Sequence, residues 1–141
     1  MRQNISIGEA SRLSGVKVPT IRYYEQIGLL PAPPRTEGNR RTYDADDARR
    51  LRFIRHAREL GFDVTAIRTL LTLQEDPNQT CATADGIAKA RLIEVEQRIA
   101  SLTALKAELE VMIESCRRNC MGECRVIKVL ADHGQCIHTN H

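Results

Sequence analysis

Between Thr83 and Ser115, apolar side chains return every three or four positions: Leu92, Val95, Ile99, Leu102, Leu105, Leu109 and Met112. That spacing places them in one stripe along a helix, close to a coiled-coil seam with an irregular step after Leu102. Glu94, Gln97, Arg98, Lys106, Glu108 and Glu110 fall off the stripe, Gly86 lies near its start, and no proline interrupts it. A single long helix with one narrow apolar stripe cannot bury that stripe by itself. The pattern therefore predicts a dimerisation helix over 80–116.

Shorter patterns precede it. Ser6 and Glu9 have the spacing of a capping box, in which Ser6 caps the helix and Glu9 reaches back. The helix it opens stops at Gly15. A second helix opens near Lys17, with Pro19 in its first turn, where a missing N–H does no harm, and ends at Gly28. Two short helices across a tight Ser14-Gly15 turn read as helix-turn-helix. Three prolines exclude a helix from Pro31 to Pro34. Glu37-Gly38-Asn39 predicts a turn between two short strands, Arg35-Thr36 and Arg41-Thr42-Tyr43, which together form a basic wing. Asp44 caps a helix from about Ala45 to Leu60, with Asp46 and Asp47 favourable in its first turn, and Gly61 ends it. Asp63 caps a further helix, and Asp76-Pro77-Asn78 breaks the chain before the long stripe. The divisions are 1–75 for a winged helix-turn-helix, 80–116 for the long helix, and 116–141 for a loop, short helix and tail. The fold class is mainly α.

Composition sharpens this picture in two places. Residues 1–60 carry 12 Lys+Arg against 7 Asp+Glu, a net of +5, while residues 61–141 carry 9 against 11, a net of −2. A basic N-terminal half suggests a nucleic-acid module with something else attached. Aromatics are scarce and Trp is absent, so Leu, Ile, Val and Ala must build most of the core. No apolar run approaches the roughly 20 residues of a membrane span, and the N-terminal segment lacks the apolar stretch of a signal peptide. A cytoplasmic location is the expectation, with no membrane partner. Thiols stay reduced there, so the five cysteines are expected as ligands or reactive groups rather than disulfides.

On the basic half, Arg22 can donate to a phosphate or a guanine edge, and the hydroxyls of Tyr23 and Tyr24 can bond phosphates. Arg35, Arg40 and Arg41 put three cations on the wing. With Lys17, Thr20 and Tyr43 on the same elements, these nine residues are the candidate DNA contacts. For Tyr23 the competing reading is a core side chain.

The stretch from Ile5 to Leu71 resembles the N-terminal domain of the MerR family of transcriptional regulators. The motifs that carry the resemblance are "IGEAS", "TIRYYEQIGLL", "NRRTYDADD" and "LRFIRHARELGF". The resemblance implies a winged-helix domain, a homodimer through an antiparallel coiled coil, and a palindromic promoter as partner. It further implies that RNA polymerase is served indirectly, through the shape of the promoter.

Cys116, Cys120 and Cys124 lie in the loop after the long helix, and Cys81 lies at its start. At about 1.5 Å per residue, Cys81 and Cys116 are on the order of 50 Å apart within one chain. In an antiparallel pair, the start of one helix meets the end of the other. Cys81 of the partner subunit then faces Cys116 and Cys124, with Cys120 as a possible third loop ligand. Such a thiolate set suits Zn(II), and also the softer Cd(II), Pb(II) or Hg(II). Cys116-x7-Cys124 resembles the ligand loop of MerR-type metal sensors, and a Cys at position 81 resembles the divalent-ion members. Arg117 follows Cys116 and the loop holds no His, a departure from the two-metal pattern of zinc-responsive relatives. The C-terminal His133, Cys136, His138 and His141 read as a frayed tail, and His56 as a surface or packing residue.

The expected function is a metal-responsive regulator, activating when metal-bound, of an export or detoxification gene. Alternatives are a permanent zinc that staples the dimer, a redox sensor with an iron–sulfur cluster on Cys116, Cys120, Cys124 and Cys136, and a metal-buffering protein. An enzyme is not expected: no plausible base sits beside a cysteine, and no Cys-x-x-Cys adjoins a βαβ unit.

Overall fold

The computed structural model describes residues 4–116 and 125–132. Among the described residues six helices follow in order: α1 (Ile7–Ser14), α2 (Val18–Gln26), α3 (Ala45–Glu59), α4 (Val64–Gln74), α5 (Ala82–Cys116) and α6 (Arg125–Ala131). The chain divides into two units, Met1–Ala84 and Asp85–His141.

Helix boundaries follow local chemistry. Ser6 Oγ accepts from the Glu9 amide at 3.1 Å and caps α1. The Glu9 carboxylate, expected to reach back to Ser6, instead pairs with Arg12 one turn on. The hydrogen bond to the Arg12 guanidinium, more than its charge, draws the Glu9 carboxyl below its usual range. The reciprocal capping box lies on α3. There Asp44 accepts from the Asp47 amide at 2.9 Å, and Asp47 accepts from the Asp44 amide at 3.0 Å. Gly15 ends α1 at φ 76°, a left-handed position that glycine adopts without a Cβ clash.

The wing forms with less sheet than its sequence suggests. Among the described residues, the extended backbone pairs only as isolated bridges, Arg35 with Arg41 and Ile5 with Tyr43. The two strands expected at 35–36 and 41–43 are therefore replaced by a turn held mainly from Thr36. The Thr36 amide donates to the Arg40 carbonyl at 2.8 Å, and Thr36 Oγ1 accepts from the Arg40 amide at 3.2 Å. Asn39, not Gly38, takes the left-handed position at φ 64°, which asparagine tolerates better than other side chains.

In the first unit, α1 packs on α2 and α3, and α3 on α4. The core gathers Ile21, Leu29, Leu30, Leu51, Ile54, Ile67 and Leu71 with Ala10, Val16 and Ala57. Each fully buried Leu or Ile contributes roughly 1.5–3 kcal/mol relative to exposure. Two tyrosines, Tyr24 and Tyr43, join this aliphatic core.

In the second unit, α5 leaves much of its stripe in solvent. Leu92, Ile99, Leu102 and Leu109 are 54%, 58%, 58% and 47% exposed, and Ile93 and Ile113 are exposed beside them. Met112 and Val129 are buried. Glu108 is buried too, although its position in the repeat lies off the stripe; it precedes Met112 by four residues and shares its face.

Candidate functional site

Two clusters of cations flank α2. At its N-terminus, Lys17 caps the helix without a side-chain hydrogen bond, and Pro19 occupies the first turn. Lys17, Thr20 and Tyr24 line a cleft of about 380 Å³ together with Arg55 and Arg58 of α3. The Arg55 guanidinium lies so close over Gly15 that a side chain there would collide with it. Arg55 also pairs with Glu59 at 3.1 Å. Further along α2, Arg22 bridges two clefts. One, of about 410 Å³, is lined by Arg22, Glu25, Gln26, Ala32, Pro33, Arg35 and Arg41. The other, of about 390 Å³, is lined by Ser6, Ile7, Arg22, Arg35, Asn39, Arg40 and Arg41. Lys17, Arg22 and Arg40 are exposed, so their cationic groups reach solvent. Guanidinium groups presented this way can clasp a phosphate backbone.

The nine candidate contacts fall into different surroundings. Arg22, Arg35, Arg40 and Lys17 are exposed, and Tyr23 is 49% exposed, so Tyr23 is a surface residue rather than a core one. Its neighbour Tyr24 has the buried ring, 5.9 Å from that of Tyr23. Tyr43 is fully buried, and its hydroxyl donates to Glu25. It presents no group outward; it ties the base of the wing to α2. Burial first, then the hydrogen bond and charge of Glu25, push the Tyr43 phenol well above its ordinary value. Glu25 also accepts from Arg41 at 3.1 Å, which leaves Arg41 partly neutralised.

Several arginines of the third and fourth helices lie along the surface and donate to carbonyl oxygens at or just beyond the ends of α1 and α2. Arg52 donates to the Leu13 carbonyl at 3.2 Å, Arg68 to that of Ile27 at 2.7 Å, and Arg50 to that of Leu29 at 2.6 Å. The structure uses them as clamps on the C-terminal ends of α1 and α2. Arg55 and Arg58 of α3 join the cationic cleft at the start of α2, and the sequence reading did not include them among the candidate contacts. Their three-residue spacing along α3, which puts both on one side of the helix, was the available signal.

Of the thiols, Cys81 is exposed and free at the start of α5, and Cys116 is the last residue of that helix. Cys120, Cys124 and Cys136 lie outside the described residues, as do His133, His138 and His141. Among the described residues, no cluster of three metal-ligating side chains forms within one chain, and no helix is long and apolar enough to cross a membrane.

Comparison with known proteins places this geometry. Residues 5–74 match the MerR HTH family regulatory protein model, and residues 48–112 match the MerR DNA-binding model. The chain is 44% identical over 111 residues to the HTH-type transcriptional regulator ZntR of Escherichia coli K12, covering 78% of this chain and 79% of that protein. It is 38% identical over 128 residues to heavy metal-dependent transcription regulator 2 of Rhizobium meliloti, covering 91% and 87%. Among solved structures, the lead(II) complex of PbrR691 from Ralstonia metallidurans CH34 superposes with a TM-score of 0.75 at 36% identity, covering 89% of this chain and 98% of that one.

The chain belongs to the MerR family. As a MerR-family protein it is a metal-responsive transcriptional regulator and not an enzyme. It binds promoter DNA as a homodimer. Dimerisation accounts for the stripe that α5 leaves exposed, since a second copy supplies the apolar surface that one chain lacks.

Proposed function

We propose that this MerR-family regulator is an activator switched on by a divalent soft metal ion, with Zn(II) as the inducing ion, at the promoter of a metal-export or detoxification gene. The observation that carries the reading is the placement of two thiols at opposite ends of one uninterrupted helix. Cys81 is exposed immediately before α5, and Cys116 closes it 35 residues later. A separation on the order of 50 Å prevents them from sharing an ion within one chain. In a dimer whose long helices lie head to tail, Cys81 of the partner subunit meets Cys116, Cys120 and Cys124.

The donor chemistry fits a soft divalent ion, because deprotonated thiolates supply both charge and polarisable lone pairs. When bound, the ion supplies a cross-link between chains at each end of the dimer. The protein residues do the rest. Lys17, Arg22, Arg35 and Arg40 hold phosphates, and the spacing of the two DNA-binding units sets how far the promoter is bent and untwisted. A change in that spacing alters the deformation energy of the DNA between the promoter elements, and RNA polymerase meets a differently aligned promoter. A cytoplasmic setting goes with this reading.

Lead(II) is the second reading, favoured by the likeness to the lead(II)-bound regulator. A promoter–reporter titration against Zn, Cd, Pb, Hg, Cu and Ni salts tests the proposal. Induction at the lowest concentration by Zn(II) is expected. Induction by Pb(II) in preference selects the second reading, while induction by copper alone, or by no ion, overturns the proposal.

A further inference from the structure

Arg68 of α4 and Arg50 of α3 hold the joint between α2 and the wing at two carbonyl oxygens. Arg68 Nη2 donates directly to the Ile27 carbonyl at 2.7 Å. Arg50 Nε donates to the Leu29 carbonyl at 2.6 Å, and Arg50 is held in turn by Glu75, whose carboxylate accepts from Nη1 at 2.9 Å. Arg68 and Glu75 are seven residues apart, two helical turns, so both project from the same side of α4. Gly28 lies between the two gripped carbonyls at φ 80°, and a side chain there would stand only 3.3 Å from Arg68 Nη1.

Glu75 is also the last residue before a turn. It is the C-cap of α4, and the Gln79 amide donates to the Asp76 carbonyl at 3.2 Å in the short segment that leads to α5. A rotation of α4 about its axis, applied through that segment, moves Arg68 and Glu75 together. Both grips then shift the end of α2 and the root of the wing, the parts of the molecule that carry Arg22 and Arg35.

We propose that Glu75, Arg50 and Arg68 are positioning residues that transmit the metal response from the end of α4 to the α2–wing joint. The inference rests on the metal-activated reading above. Glu75 is 67% exposed, whereas Arg50 is 25% exposed. Glu75 is thus dispensable for packing, and its removal separates transmission from folding.

The test uses the purified full-length dimer with RNA polymerase and a palindromic promoter fragment selected by the wild-type protein. Transcription is measured with and without Zn(II), beside DNA affinity and melting temperature. Glu75→Ala is expected to keep DNA affinity within about twofold and melting within about two degrees, while the ratio of metal-bound to metal-free transcription falls about threefold to fivefold. Arg50→Ala with Glu75→Ala is expected to lose no more of that ratio than Arg50→Ala alone, because the carboxylate acts through the guanidinium. Arg68→Lys, which keeps the charge and loses the planar fork, is expected to lower the ratio as well. A wild-type activation ratio in Glu75→Ala overturns the inference alone, as does a fall in DNA affinity or melting that matches the fall in activation. A wild-type protein that answers none of the six ions overturns both this inference and the functional reading.

Discussion

Arg22 and Tyr43 are both polar residues of the DNA-binding half, and the structure gives them opposite tasks. Arg22 is exposed and lines two clefts, whereas Tyr43 is buried with its hydroxyl on Glu25. Arg22→Ala is expected to cost about 1–3 kcal/mol of promoter binding and to reduce the salt dependence by about one phosphate. Metal affinity should be unchanged, and a parallel loss of both in titrations would mean misfolding instead. Tyr43→Phe should leave the surface charge intact but loosen the wing, at a cost of about 1–2 kcal/mol. The sign of its pH dependence follows from the raised phenol. A group whose folded value lies above its unfolded value stabilises fully below the unfolded value, here the ordinary 10.0. That contribution is lost as pH rises from there through the folded value. Denaturant melts of wild type and Tyr43→Phe should therefore converge above pH 10, and a constant gap would place the effect elsewhere.

At the scale of elements, the boundaries of α1 and α3 depend on a few local groups. Asp44 and Asp47 cap α3 reciprocally, so Asp44→Ala is expected to lower stability by about 1 kcal/mol, read by urea unfolding. Gly15→Ala is a harsher change. Its φ of 76° costs an L residue roughly 1–2 kcal/mol, and the new methyl would also displace the Arg55 guanidinium. Melting should drop, and DNA binding should weaken because Lys17 and Arg55 lose their register. A Gly15→Ala protein with wild-type melting and affinity would contradict the proximity of Arg55. The wing shows why short strands are hard to read from sequence. Arg35-Thr36 and Arg41-Thr42-Tyr43 alternate plausibly, but so few residues can be held by one threonine side chain and a left-handed Asn39 without forming a ladder.

The whole molecule is a dimer, and its regulatory prediction belongs at that scale. Dimers formed from one Cys81→Ser chain and one Cys124→Ser chain should keep one intact thiol site, while each homodimer of the same variants should have none. Metal binding by the mixed dimer at half the wild-type stoichiometry is expected in equilibrium dialysis. No recovery there would separate Cys81 from the loop thiols and sink the head-to-tail arrangement. Raising the salt concentration should weaken DNA binding steeply while leaving the metal stoichiometry constant, since only the former rests on phosphate neutralisation.

Periodicity, caps and breakers determined the order of helices in this protein, because each acts within a few residues. Ser6, Asp44 and Asp63 cap where their side chains reach their own backbone, and the α5 stripe repeats within one helix. Membership in a DNA-binding, metal-responsive family was legible for a related reason: motifs such as "TIRYYEQIGLL" are contiguous. The tertiary structure decided what contiguity does not contain. It set Arg50, Arg52 and Arg68 against carbonyls 21, 39 and 41 residues away. It buried Tyr43 and Tyr24, exposed Tyr23, and added Arg55 and Arg58 to the cationic rim. A charged side chain goes to the nearest unsatisfied oxygen or the nearest open solvent, and which of these it meets is settled only when distant segments pack together.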